Sequence, residues 1–149
     1  MTPTLRIGIR RSYSPVTGRH LGGSDADRAC QSEEMASSPG TLALVGGSEW
    51  SEGCTFDEEL LAASGGSAVL VLPTAAAYER PERRVITAGE WFSRWDGEVE
   101  GLMVLSRADA EDPGAAAVVR RSRFIYLSGG SSLHLRSVLK GSAVFEALR

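Results

Sequence analysis

From Gly40 onward the chain alternates between short apolar runs and segments patterned as helices. Thr41–Val45 (TLALV), Ala68–Leu72 (AVLVL), Gly101–Leu105 (GLMVL) and Phe124–Leu127 (FIYL) are the apolar runs. They are too short for core helices, and they do not alternate apolar with polar as a half-solvated strand does. A continuously apolar strand belongs to a parallel sheet covered on both faces. Parallel strands need crossover connections, and right-handed crossovers then give a doubly wound open sheet. The predicted fold class is therefore α/β: a doubly wound, mostly parallel sheet with helices on both faces.

Local signals bound the helices. Thr55-Phe-Asp-Glu58 reads as a capping box opening a helix to about Ser64, with Gly65-Gly66 as the stop. A second helix runs from Pro81 to Trp95, with proline in its first turn. Val85, Ala88, Trp91, Phe92 and Trp95 form its apolar stripe. Asp112-Pro113 precedes a short helix over Ala115–Arg121. Two more helices are expected over Ser131–Leu139 and Ser142–Leu148, broken at Gly141.

Residues 1–39 differ in kind. They are rich in Ser, Gly, Arg and Asp and are interrupted by Pro3, Pro15 and Pro39. Leu5, Ile7 and Ile9 alternate and allow one short strand; the remainder lacks the apolar content to offset its ordering entropy. The domain reading is thus a disordered or artefactual extension over 1–39, with Met35 as an alternative start, and an α/β domain over 40–149. Arg10-Arg11 is followed by no apolar stretch, so it is not read as an export signal. No run approaches the roughly 20 apolar residues of a membrane span. With two cysteines, Cys30 and Cys54, the chain has neither a disulfide framework nor a zinc pattern. A net charge of -3 gives no electrostatic footprint for nucleic acid. A cytoplasmic protein without metal, cofactor, nucleic-acid or membrane partner is expected.

In open parallel sheets, ligands bind beyond the carboxyl ends of the strands. Four segments fall there: Gly46-Gly47-Ser48-Glu49, Pro73-Thr74, Ser106-Arg107 and Ser128-Gly129-Gly130-Ser131. The first reads either as a tight turn or as a loop lining a cleft; it matches no nucleotide-binding fingerprint. The last lies between strand and helix, where outward amides and the helix dipole favour an anion. It reads as a plain βα turn or as an oxyanion hole built from backbone donors. Ser131 does not sit in a Gly-x-Ser-x-Gly elbow, because position 133 is leucine. His134 follows three residues later on the same helix, so it reads as a surface residue and not as a triad base.

Taken in order and spacing, Leu44-Val-Gly-Gly47, Ala68-Val-Leu-Val-Leu-Pro-Thr-Ala75 and Phe124-Ile-Tyr-Leu-Ser-Gly-Gly130 resemble the cyanophycinase and dipeptidase E group of serine peptidases. The resemblance covers about residues 41–149 and implies a class I glutamine amidotransferase-like, flavodoxin-like sheet. It implies that Gly129 and Gly130 contribute to the oxyanion hole. It further implies that Gly46, Gly47, Thr74, Ser131 and Ser132 line the substrate cleft. The family's nucleophile lies on the next strand, in a Gly-x-Ser-Ala-Gly-Ala elbow, with the triad histidine and acid further on; none of these motifs occurs in the 149 residues. Where the family has Asp-Gln after the paired glycines, this chain has Ser131-Ser132.

The expectation is an N-terminal portion of a peptidase that hydrolyses peptide bonds through an acyl-enzyme without a cofactor, inactive by itself. An exposed edge at Phe124–Leu127 would invite self-association. The alternative is a non-catalytic α/β module that binds a small molecule or anion.

Overall fold

The computed structural model describes residues 7–10, 40–46 and 48–149. Four strands among these residues form one parallel sheet: β1 (Ile7–Arg10), β2 (Ala68–Leu72), β3 (Glu98–Leu102) and β4 (Ile125–Leu127), in the order β1-β3-β2-β4. Among the described residues, six helices accompany them: α1 (Phe56–Ala63), α2 (Pro81–Phe92), α3 (Arg107–Ala110), α4 (Pro113–Arg121), α5 (Ser132–Leu139) and α6 (Ala143–Leu148). This is the expected α/β class, with helices on both faces of the sheet.

Alternate residues within each strand separate the two cores. Val69, Val71, Val99 and Tyr126 pack with Leu61 of α1 and with Val85, Ala88, Trp91 and Phe92 of α2. Leu70, Leu72 and Leu102 face the other way, onto α4, α5 and α6 through residues such as Val119, Val138 and Val144. Phe92 is the largest fully enclosed side chain, and its ring lies 5.7 Å from Phe124 and 6.1 Å from Tyr126. Helix α2 lies flush on β3 because Gly101 has no side chain; a Cβ there would stand 2.6 Å from Val85 Cγ2.

The structure revises the strand assignment in two places. Thr41–Val45 is irregular and exposed, with Leu42 82% and Leu44 90% accessible. The position beside β3 is taken instead by Ile7–Arg10, in register from Ile7↔Val99 to Arg10↔Leu102. A strand exists only where an edge accepts it, and this edge goes to the alternating segment near the N-terminus. The rest of 1–39, with Met35 and Cys30, lies outside the described residues.

The third strand is Glu98–Leu102, not 101–105. Pairing begins early, at Ala68↔Glu98, and the Glu98 amide donates to Ser67 O at 2.7 Å. Met103–Leu105 then lead away from the ladder.

Helix boundaries follow the local signals more closely. Pro81 opens α2, Asp112 caps α4 by accepting from the Gly114 amide at 2.9 Å, and Ser142 caps α6. Helix α2 stops at Phe92 and continues as a single 3₁₀ turn over Ser93–Trp95. The Thr55 capping box does not form: Thr55 is itself helical in φ and ψ and makes no side-chain cap. A capping box does form at Ser106 and Asp109, where it opens α3.

Candidate functional site

The turns after β2 and β4 meet at the carboxyl end of the sheet. Beyond Leu72 the chain forms a 3₁₀ turn, Thr74–Ala76; beyond Leu127 it runs through Ser128-Gly129-Gly130 into α5. The Ser128 amide donates to Leu72 O at 3.2 Å, extending the ladder by one step. The Ser131 amide donates to Ala75 O at 2.8 Å and ties the two turns together. Gly130 makes this approach possible. Its φ is +148°, and a Cβ would lie 2.4 Å from Ala75 O. Backbone meets backbone there, so the loop is fixed by its neighbour and cannot adjust as an isolated turn would.

Gly129 and Gly130 were expected to offer amide donors. The Gly129 amide donates to Glu49 Oε1 at 3.0 Å, across 80 residues of sequence. Gly130 N–H has no partner among the described residues. Glu49 is held in turn by Arg84, whose Nη1 lies 3.5 Å from Oε1, and Arg84 Nη2 lies 3.4 Å from Glu79. Glu49 is 14% exposed, so its carboxylate is largely withdrawn from water. Sequence reading places Glu49 in a loop that could line a cleft, but nothing in the spacing ties position 49 to position 129.

The other candidates separate. Ser131 is the N-cap of α5, and its Oγ accepts from the His134 backbone amide at 3.2 Å; it does not address the imidazole. His134 Nε2 lies 3.0 Å from Leu105 O, and the ring packs edge-on to Tyr78 at 4.9 Å. The imidazole thus links α5 to the exit of β3 and is no free surface group. Ser132 is exposed on the first turn of α5. Gly46 is exposed, and Gly47 lies outside the described residues.

Thr74 is fully enclosed, and its Oγ1 has no partner among the described residues. Ser106 and Arg107 are committed to structure. Arg107 donates to the terminal carbonyls of Lys140 and Gly141 at 2.6 and 3.1 Å, where a cation favours a helix end.

Behind the glycine loop lies a buried polar cluster. Trp50 packs tilted against Tyr126, with ring centroids 5.1 Å apart, and Trp50 Nε1 and the Tyr126 hydroxyl lack partners among the described residues. Asp57 is fully buried in the first turn of α1 and accepts from Trp91 Nε1 at 2.9 Å. Burial pushes its carboxyl above the ordinary range, and the Trp91 hydrogen bond offsets part of that rise. Burial also raises the Tyr126 hydroxyl, and the charges of Asp57, Cys54 and Glu49 raise it further, so it remains protonated as a neutral group.

A cavity of about 450 Å³ opens at the opposite end of the sheet, between Ser64, Ala68, Glu98 and Arg123. It touches none of the strand-exit loops. In a parallel sheet, the loops and helix starts that present polar groups to a ligand gather at the carboxyl ends, so the glycine loop is the better candidate. Among the described residues, no His, Cys, Asp and Glu side chains gather to hold a metal ion, and no helix is long and apolar enough to cross a membrane.

No protein-family model matches the chain, and no curated protein does. A solved structure of a peptidase from an acI-B1 actinobacterium is similar to it, with a TM-score of 0.62 and 27% identity. The match covers 70% of this chain and 46% of the peptidase, so the chain spans about half of that protein's length. An α/β fold over 70% of this chain is thus shared with a peptidase.

Proposed function

We propose that this chain is the oxyanion-hole half of a serine-type peptidase of the cyanophycinase and dipeptidase E kind. In this reading, the Gly129 and Gly130 amides stabilise the negative oxygen that forms when a serine attacks a peptide carbonyl. In this reading the serine comes from a Gly-x-Ser-Ala-Gly-Ala elbow outside these 149 residues. The peptide bond breaks through an acyl-enzyme, which water then hydrolyses, and no metal or cofactor takes part.

One observation carries the reading. The Gly129-Gly130 loop is pinned by backbone contact to Ala75 at the carboxyl end of the sheet, in a chain 27% identical to a solved peptidase. Pre-organised donors of this sort need no reorganisation when charge develops, which is what makes them catalytic. In this reading Ser131 caps α5 and is not the nucleophile, a role supported by its hydroxyl accepting from the His134 amide.

A second reading has its own support: the Gly129 amide already holds a carboxylate, as a simple anion-binding module would. Fluorophosphonate labelling and p-nitrophenyl ester hydrolysis separate the two. The 149-residue chain is expected neither to label nor to release a burst of nitrophenol. The product read through from its own downstream sequence is expected to label on a serine beyond residue 149. A burst from the short chain that Ser131→Ala abolishes would overturn the placement of the nucleophile. A read-through product that never labels, with a short chain whose melting temperature rises in phosphate, would favour the binding module. Strand β4 has one pairing partner among the described strands, and self-association along its other edge belongs to the same proposal.

A further inference from the structure

The Gly129 amide, the donor on which the peptidase reading rests, is occupied by the chain's own carboxylate. We propose that Glu49 is an internal plug: its carboxylate blocks the oxyanion site in the resting chain and must swing away before a carbonyl oxygen or an external carboxylate can bind there.

The fit is that of a ligand in a site. Oε1 accepts from the Gly129 amide at 3.0 Å. A Cβ built on Gly129 would stand 3.0 and 3.1 Å from the two carboxylate oxygens, so the group lies close against the glycine, and a side chain there would push it back by a few tenths of an ångström. A carboxylate carries its charge on oxygen, as a tetrahedral intermediate does, and it reproduces the negative end of such a species. Arg84 supplies the counter-charge at 3.5 Å and is shared with Glu79, which leaves the guanidinium a carboxylate partner when Glu49 departs.

The backbone that presents Glu49 is under tension. Ser48 has φ +70° and Trp50 has φ +59°, so the residues on both sides of Glu49 occupy the left-handed region without being glycine. Such strain persists only where the surroundings enforce it, and it collects at clamps and switches. Here the buried contact of Trp50 with Tyr126 anchors the segment. A strained, anchored loop that carries a carboxylate has reason to adopt a second arrangement in which Glu49 is released.

The test reads the Gly129 amide directly. Of the 17 glycines, Gly65 and Gly129 alone follow serine, so a chain carrying carbonyl-labelled serine and nitrogen-labelled glycine reports these two amides and no others by NMR. Gly65 lies at the end of α1 and serves as the internal control. Sodium acetate is titrated against sodium chloride at constant ionic strength.

In the wild-type chain the Gly129 signal is expected to respond weakly. In Glu49→Ala it is expected to move saturably, with acetate binding at least about 10-fold tighter, the scale of one charge-assisted hydrogen bond. Adding Arg84→Gln should reverse most of that gain, and Gly65 should stay still throughout. A Gly129 signal in Glu49→Ala that ignores acetate, or wild-type binding as tight as the variant's, overturns the plug. Should Glu49→Ala fail to fold, Glu49→Gln decides the matter: a neutral acceptor must shift the Gly129 proton upfield, and an unchanged position refutes the contact. Acetate binding in a protein whose read-through product never labels keeps the plug and removes the peptidase; labelling with an acetate-blind Gly129 does the reverse.

Discussion

Replacing Gly130 by alanine tests the geometry on which the site depends. Two costs can be worked from the structure. The new Cβ meets Ala75 O at 2.4 Å and Ala75 C at 2.5 Å, both backbone atoms that cannot rotate away. The φ of +148° lies where an L side chain is strained, a cost of about 1–3 kcal/mol. Separating the two turns also loses the hydrogen bond from the Ser131 amide to Ala75 O, a further ~1 kcal/mol. The sum is about 2–4 kcal/mol, which for a chain of this length lowers the melting temperature by roughly 5–15 °C.

Two other glycines calibrate the series. Gly141 has φ +67° and open space around it, so alanine there carries conformational strain alone, about 1 kcal/mol. Gly66 has neither positive φ nor a neighbour within 4 Å, and alanine should change stability by less than about 0.5 kcal/mol. Urea denaturation followed by tryptophan fluorescence gives the three values, with unchanged slopes showing that the denatured state is not the cause. The expected order of damage is Gly130, then Gly141, then Gly66. If Gly130→Ala costs no more than Gly141→Ala, the backbone contact with Ala75 is not there, and the pinned loop goes with it.

Two further outcomes follow from the core. Burial raises the Asp57 carboxyl, so the folded chain holds that proton more tightly than the unfolded one, whose value is about 3.9. Stability is then lost as pH rises from the unfolded carboxylate range through the folded value, and stays flat above it. Asp57→Asn keeps an acceptor for Trp91 and should gain on the wild type as pH rises from 4 to 7; a difference in urea midpoint constant across that range would refute the assignment. Asp57→Ala leaves Trp91 Nε1 without its acceptor and should cost about 1–3 kcal/mol near pH 4, and less as pH rises and the wild type loses the contribution of its buried proton. Gly101→Ala should cost about 1–3 kcal/mol by driving a Cβ into Val85 Cγ2. Adding Val85→Ala should recover part of that loss, and strictly additive effects in the double-mutant cycle would exclude the contact.

What the sequence determined by itself is whatever local chemistry can enforce. Ala68–Leu72 is a strand at its expected bounds, because a run of apolar, largely branched residues closed by Pro73 has one good use in an α/β chain. Pro81, Asp112-Pro113, Ser131 and Ser142 begin helices because a fixed φ or a capping oxygen acts within three residues of itself. The paired glycines fall between β4 and α5 for the same reason.

Tertiary structure decided what depends on distant partners. Thr41–Val45 reads as a strand as well as Ala68–Leu72 does, yet the place beside β3 belongs to Ile7–Arg10, because pairing rewards the segment that reaches the edge. Thr55 forgoes its cap while Asp57, in the same turn, is drawn inward to Trp91. Glu49 meets Gly129 across 80 residues because two loops end at one corner of the sheet, and no periodicity or spacing along a chain encodes a corner.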